Sequence, residues 1–278
     1  MMMHDHPVPA HGDVGWDTVF AVAGVVVLAV SYALLAHRTA SRARRSRDRW
    51  RTVVFLAGCA LLAVALLPPI APFALGDFRG HMLQHLLLGM YAPLALVMGA
   101  PITVLLRALP VQRARHLTAV LHSKPMRVLA HPITALTLST GTLVVLYFTP
   151  VYDTMTAWPA LHWLLHAHFV LSGCLFAWVI AGPDPAPSRP GVRARLFILG
   201  VAIALHAVIA QLMYGGFLID LHVPITQVRG GAEIMYYGGD IAHLLLAAAL
   251  VTTWRPARKT AIPTRSHTHG SATQAPAV

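Results

Sequence analysis

Two pairs of histidines carry the strongest chemical signal in this sequence. His81 and His85 stand four residues apart, and so do His162 and His166. Residues at i and i+4 share one face of a helix, so each pair offers two imidazoles in one direction. Imidazole suits copper and zinc, and thioether sulfur selects Cu(I). Met82 adjoins the first pair, while Met90, Met155, Met213 and Met235 are further soft donors. Two such pairs on separate helices could converge on one metal ion or one redox group. A second polar set lies farther along the chain, with His206 alone and Glu233, Asp240 and His243 close together. Asp240 and His243, at i and i+3, can pair, or Asp240 can orient His206 across a helix interface. These four residues are expected as supporting or relay groups, because ligating imidazoles need oriented partners. The plainer alternatives stay open: histidines near helix ends can simply be partly solvated, and hydrogen bonds within the membrane can simply hold a bundle together.

The elements that must position these residues are long and apolar. Seven stretches, near 16–36, 50–70, 81–106, 131–150, 161–181, 196–217 and 231–253, are each long enough to cross a bilayer, which takes roughly 20 helical residues. Lys and Arg number 7 in 37–51, 5 in 107–130, 3 in 182–195 and 4 in 254–278, which is 19 of the 21 basic residues. Only Arg79 and Arg229 fall on the opposite side. The positive-inside rule predicts an all-α bundle of seven transmembrane helices, with the N-terminus outside and the C-terminus cytoplasmic. Both histidine pairs then open their helices at the external face. Within that bundle His206, Asp240 and His243 are deep, where an unpaired charge is costly.

At 56% apolar and 11% charged residues, the spans and their short connections use up nearly all the chain. The expected organisation is an external Met/His-containing tail over 1–15, a transmembrane domain over 16–253 and a disordered cytoplasmic tail over 254–278. The tail begins Met1-Met2-Met3-His4-Asp5-His6 and adds His11, which reads as an open metal lure. It has no Lys or Arg before the first span, so that span reads as an uncleaved anchor. The net charge of +11 sits in short loops, where topology and anionic lipid account for it; no aromatic interleaving argues for nucleic acid. Cys59 and Cys174 fall inside spans with no CxxC spacing, against a disulfide framework. A retinal protein is excluded, because Lys124 and Lys259 are the only lysines and both are in cytoplasmic segments. There is no Gly-rich phosphate loop, GxSxG or HExxH, so the common enzyme motifs are absent.

The stretch His81-Met82-Leu83-Gln84-His85-Leu86-Leu87-Leu88, with Ala92-Pro93 and Gly99-Ala100-Pro101 behind it, resembles the signature of the CtaG-type cytochrome c oxidase assembly factors of bacterial membranes. The resemblance continues through Pro150-Val151-Tyr152-Asp153, Leu161-His162 to His166, Phe176-Ala177-Trp178, Pro183-Asp184-Pro185 and Ala232 to Asp240. It covers about residues 50 to 253. Two places depart from it: Thr226-Gln227-Val228-Arg229-Gly230 replaces an Asp-Gln pair with small residues behind it, and His243 stands where an acidic residue is expected. The resemblance implies a non-enzymatic role in making a haem–copper oxidase in the bacterial plasma membrane. It is consistent with copper handled at the external face.

The resulting expectation is a multi-pass assembly factor whose partners are oxidase subunits and membrane lipid. Its expected copper site is His81, His85, His162 and His166 with Met82 and Met235. Three rivals remain: a bis-histidine haem electron carrier, a copper permease, and a ligand-free scaffold. The permease lacks a visible internal repeat and offers only His131 and Cys174 as inner ligands. Oligomeric state is not legible in the sequence.

Overall fold

A computed structural model describes residues 16–40, 45–187, 189–219 and 221–253. The two tails expected over 1–15 and 254–278, with the Met/His tract of the first, lie outside the described residues. Among the described residues every regular element is helical. Six helices are long and apolar enough to cross a membrane: α1 Trp16–Thr39, α2 Arg45–Leu66, α3 Phe78–Met98, then, after a shorter helix, α5 Pro159–Ile180, α6 Val192–Gly215 and α7 Ile225–Thr253. The segment expected as the fourth span forms a shorter apolar helix, α4 Pro132–Tyr147. At 1.5 Å per residue it is about 24 Å long, less than the roughly 30 Å of hydrocarbon. The chain is a multi-pass membrane protein.

Helix α3 is the centre of the bundle. It packs on α2, α5 and α7, while α6 lies on α7 and α1 covers α2 from outside. Its start is set by Asp77, whose Oδ1 accepts the N–H of Arg79 at 2.8 Å as an N-cap. The Arg79 guanidinium, 2.6 Å from that carboxylate, holds Asp77 below the usual carboxylate range. In mid-course α3 widens into a π turn over Leu87–Tyr91, just ahead of Pro93, which has no N–H to return to the Gly89 carbonyl. Gly173 of α5 lies against that carbonyl; a Cβ there would stand 2.1 Å from the Gly89 oxygen. The π turn and the glycine together bring two backbones into contact. Helix α4 carries a similar π turn over Thr137–Gly141.

The expected 81–106 span breaks where Pro101 forces it to. Ala100 adopts a left-handed conformation (φ 56°) and a separate helix, Pro101–Ala108, begins. Tyr32 of α1 donates to the buried carbonyl of Gly99 at 2.7 Å. Buried Asp184 accepts the N–H groups of Ile102 (2.9 Å) and Thr103 (2.8 Å), capping the new helix. The core has two lobes. One surrounds Phe78, Met82, Tyr147, Met155, Met213 and Met235 at the Phe78 end of α3. The other surrounds Val97, Trp178, Ile180, Leu246 and Leu250 at the Met98 end.

Candidate functional site

The inward face of α3 carries His81, Gln84, His85 and Leu88, at i, i+3, i+4 and i+7, and all four are buried. Helical geometry thus delivers the expected histidine pair to the interior with a glutamine between its members. That glutamine fixes the chemistry of its surroundings. Ala65 of α2 faces Pro69 one turn on, which has no N–H for its carbonyl. Gln84 supplies the missing donor: its Nε2 is 2.8 Å from the Ala65 oxygen. The amide oxygen therefore points the other way, 3.2 Å from Nε2 of His166 on α5. Because that oxygen can only accept, His166 donates from Nε2. A neutral imidazole then carries its lone pair on Nδ1, and Nδ1 of His166 is buried with no hydrogen-bond partner.

His162 lies one turn before His166, with ring centroids 4.2 Å apart, edge to face. Both line a cavity of about 240 Å³ together with Gln84 and Met155. Asp17 of α1 closes its rim and accepts the indole N–H of Trp163 at 2.7 Å. Met155 is fully buried on the short helix Val151–Ala157. The same short helix places Tyr152 against His81, ring centroids 5.1 Å apart. Burial pushes the Tyr152 phenol up to about 12, with the charges of Asp153 and Asp77 adding to it. Tyr152 thus stays neutral throughout the physiological range.

His81 bonds elsewhere than its partner pair. Its Nε2 lies 3.3 Å from the hydroxyl of Tyr147, a fully buried residue of α4. His85 packs edge to face on Phe169, centroids 4.4 Å apart, and neither of its ring nitrogens has a partner. A buried imidazole must carry at least one N–H, so His85 holds an unspent hydrogen-bonding group in the core. Met82 and Met235 are both fully buried at the α3–α7 contact, where Met82 lies against Gly231.

The second histidine group forms as a pair. His206 of α6 donates from Nε2 to the Met235 carbonyl at 3.1 Å, and its ring meets His243 of α7 at 5.2 Å. Gly239 makes room for it, since a Cβ there would overlap the His206 ring at 2.1 Å. The two imidazoles are in edge-to-face contact and, so placed, leave no gap for a haem between them. Asp240 is half-buried. Glu233 is exposed and lines an open cleft between α6 and α7.

Gln84, Tyr147 and Tyr152 adjoin the four expected histidines, and none of the three stood out as a site residue in the sequence. Gln84 stood inside the HMLQH motif, and its central place between the two histidines was the available signal. Among the described residues no three His, Cys, Asp or Glu side chains are arranged to hold one ion. The donors that line the cavity are the imidazoles of His162 and His166 and the thioether of Met155, with the Gln84 amide and the Asp17 carboxylate beside them; imidazole and thioether are ligands that suit Cu(I).

Residues 30–257 match the cytochrome c oxidase caa3 assembly factor family. The chain belongs to that family. Among curated relatives, an uncharacterized Mycobacterium bovis protein and its Mycobacterium tuberculosis counterpart are each 31% identical over 261 residues, which is 86% of this chain. An uncharacterized Mycobacterium leprae protein is 30% identical over 237 residues, 77% of this chain. The chain spans only 39% of the length of the first two and 36% of the third. No solved structure matches it.

Proposed function

We propose that this caa3-type assembly factor takes up copper at the external membrane face and holds it for a haem–copper oxidase subunit. The observation that carries the reading is the Ala65–Gln84–His166 relay. It leaves the Nδ1 lone pair of His166 unpartnered beside a cavity lined also by His162 and Met155. A buried lone pair without a donor is a cost unless something occupies it, and a Cu(I) cargo is matched by that donor set. His81 and His85, one turn apart on the facing helix, supply further imidazoles, with Met82 and Met235 as soft neighbours. His206, His243 and Asp240 extend polar groups inward from them. The bundle is read as N-terminus outside and C-terminus cytoplasmic, from the distribution of its basic loops. Copper in this reading is cargo.

The test is oxidase maturation in cells whose only copy of this gene carries His81→Ala and His85→Ala. The expected result is loss of assembled oxidase activity with the variant still present in the membrane. Full oxidase activity in those membranes contradicts the reading.

A further inference from the structure

Glu233 is out of place for a residue within a membrane-spanning helix. Ionisable side chains there normally face the bundle interior or a water-filled cavity, because lipid cannot solvate them. Glu233 instead is exposed on the outer side of α7, in an open cleft of about 460 Å³ between α6 and α7. Helix α7 has 29 residues, about 43 Å of length against roughly 30 Å of hydrocarbon. If its excess is shared between both ends, Glu233, eight residues from Ile225, sits about 5 Å inside the apolar layer. Among the described residues it has no ion pair, and Arg229, one turn above, instead lies over the Tyr214 ring at 5.9 Å.

The rest of the cleft is built for contact rather than for lipid. Gln211 and Tyr214 from α6 and Tyr236 and Tyr237 from α7 line the same cleft, and Tyr237 is 67% exposed. Tyrosine and glutamine bond across helix interfaces, where they find partners that lipid tails cannot give. Gly215 and Ala232 keep the floor low, as close helix packing requires.

We propose that this cleft is where a membrane-spanning helix of the nascent oxidase docks, with Glu233 receiving a lysine, arginine or other hydrogen-bond donor from it. Charge complementarity chooses the occupant: an acidic acceptor below the membrane surface selects a helix with a donor at that depth, and apolar lipid offers none. The inference rests on the oxidase-assembly reading. None of the proposed copper ligands lines this cleft.

The experiment places a photo-crosslinking residue at Tyr237 of the full chain, in cells that make the oxidase. The expected result is an adduct with an identified membrane subunit of the oxidase. Glu233→Lys is expected to cut that adduct at least tenfold, while Glu233→Gln, which keeps an acceptor, retains part of it. A probe at Val27 of α1, equally lipid-facing, serves as the reference for lipid adducts. Adducts at Tyr237 with lipid alone, or with a second copy of this chain, overturn the proposal, as does an oxidase adduct indifferent to Glu233→Lys. If the His81→Ala/His85→Ala variant still blocks oxidase maturation in that case, docking at this cleft fails while the assembly reading stands.

Discussion

Helices α1 and α3 are opposite solutions to the same membrane. The most apolar of the long helices is α1, yet only 6% of its apolar window is buried within the bundle; α3 is the least apolar, and 61% of its window is buried. In water the order would be reversed. In a bilayer the hydrophobic effect does not separate lipid-facing from protein-facing surfaces, since lipid tails are as apolar as leucine. What drives a helix to the centre is polar content that needs internal partners. His81, Gln84 and His85 give α3 that content, and Ala65, Tyr147 and His166 answer two of the three. Helix α1 has little to satisfy, so it sits at the rim, attached by the Tyr32 hydroxyl on Gly99, by stacking of Tyr32 on Phe55 at 3.7 Å and by the Trp163 indole on Asp17.

Glycine substitutions should split the two helices most sharply. Gly173→Leu drives a side chain into the Gly89 carbonyl, where backbone meets backbone and neither can yield. We expect loss of folded protein, or an unfolding midpoint in detergent lowered by more than the roughly 1–3 kcal/mol typical of overpacking. Next in size is Gln84→Leu, which strands the Ala65 carbonyl and the His166 N–H together. It should cost about 1–3 kcal/mol for each buried group left unpaired, read as a lower thermal midpoint. Tyr147→Phe removes only the contact with His81 and should cost about 1 kcal/mol in the same assay. A Cβ added at Gly24 of α1 meets nothing within 4 Å, so Gly24→Ala should be neutral or stabilise by about 0.5–1 kcal/mol through reduced chain entropy. If Gly24→Ala proves as damaging as Gln84→Leu, the contrast between rim and centre is wrong.

The smallest expected effect is one of pH at the start of α3. The Asp77 carboxyl is held below its usual range by the Arg79 side chain. Its stabilising contribution is therefore present at neutral pH and is lost as the pH falls through that lowered value. A midpoint measured from pH 7 toward pH 3 should fall less in Asp77→Asn, which keeps an N-cap acceptor without the charge, than in the unaltered chain.

The sequence made the long helices, their approximate bounds and the histidine pairs legible, because length, apolarity and i, i+4 spacing are local properties. The π turn ahead of Pro93 was not legible. The role of Gln84 was hidden because it depends on a carbonyl 19 residues away that Pro69 leaves free. The facing of Glu233 was hidden for a different reason. Arg229, Glu233, Tyr237 and Asp240, at i, i+4, i+8 and i+11, share one face of α7, but a polar face in a membrane helix is expected to turn inward, and only the placement of Met235, Gly239 and His243 against α3 and α6 turns Glu233 outward. The length of α4 was misjudged because Thr149 and Pro150, counted into an apolar window, fall beyond the helix end at Tyr147.

The most direct test of the account is Cu(I) content after anaerobic loading of the detergent-purified protein, with His166→Ala and His81→Ala/His85→Ala alongside. We expect near-stoichiometric copper in the unaltered chain and loss of most of it in both variants. A chain that binds no copper, or variants that bind as much as the unaltered protein, would contradict a copper-holding site at the buried face of α3.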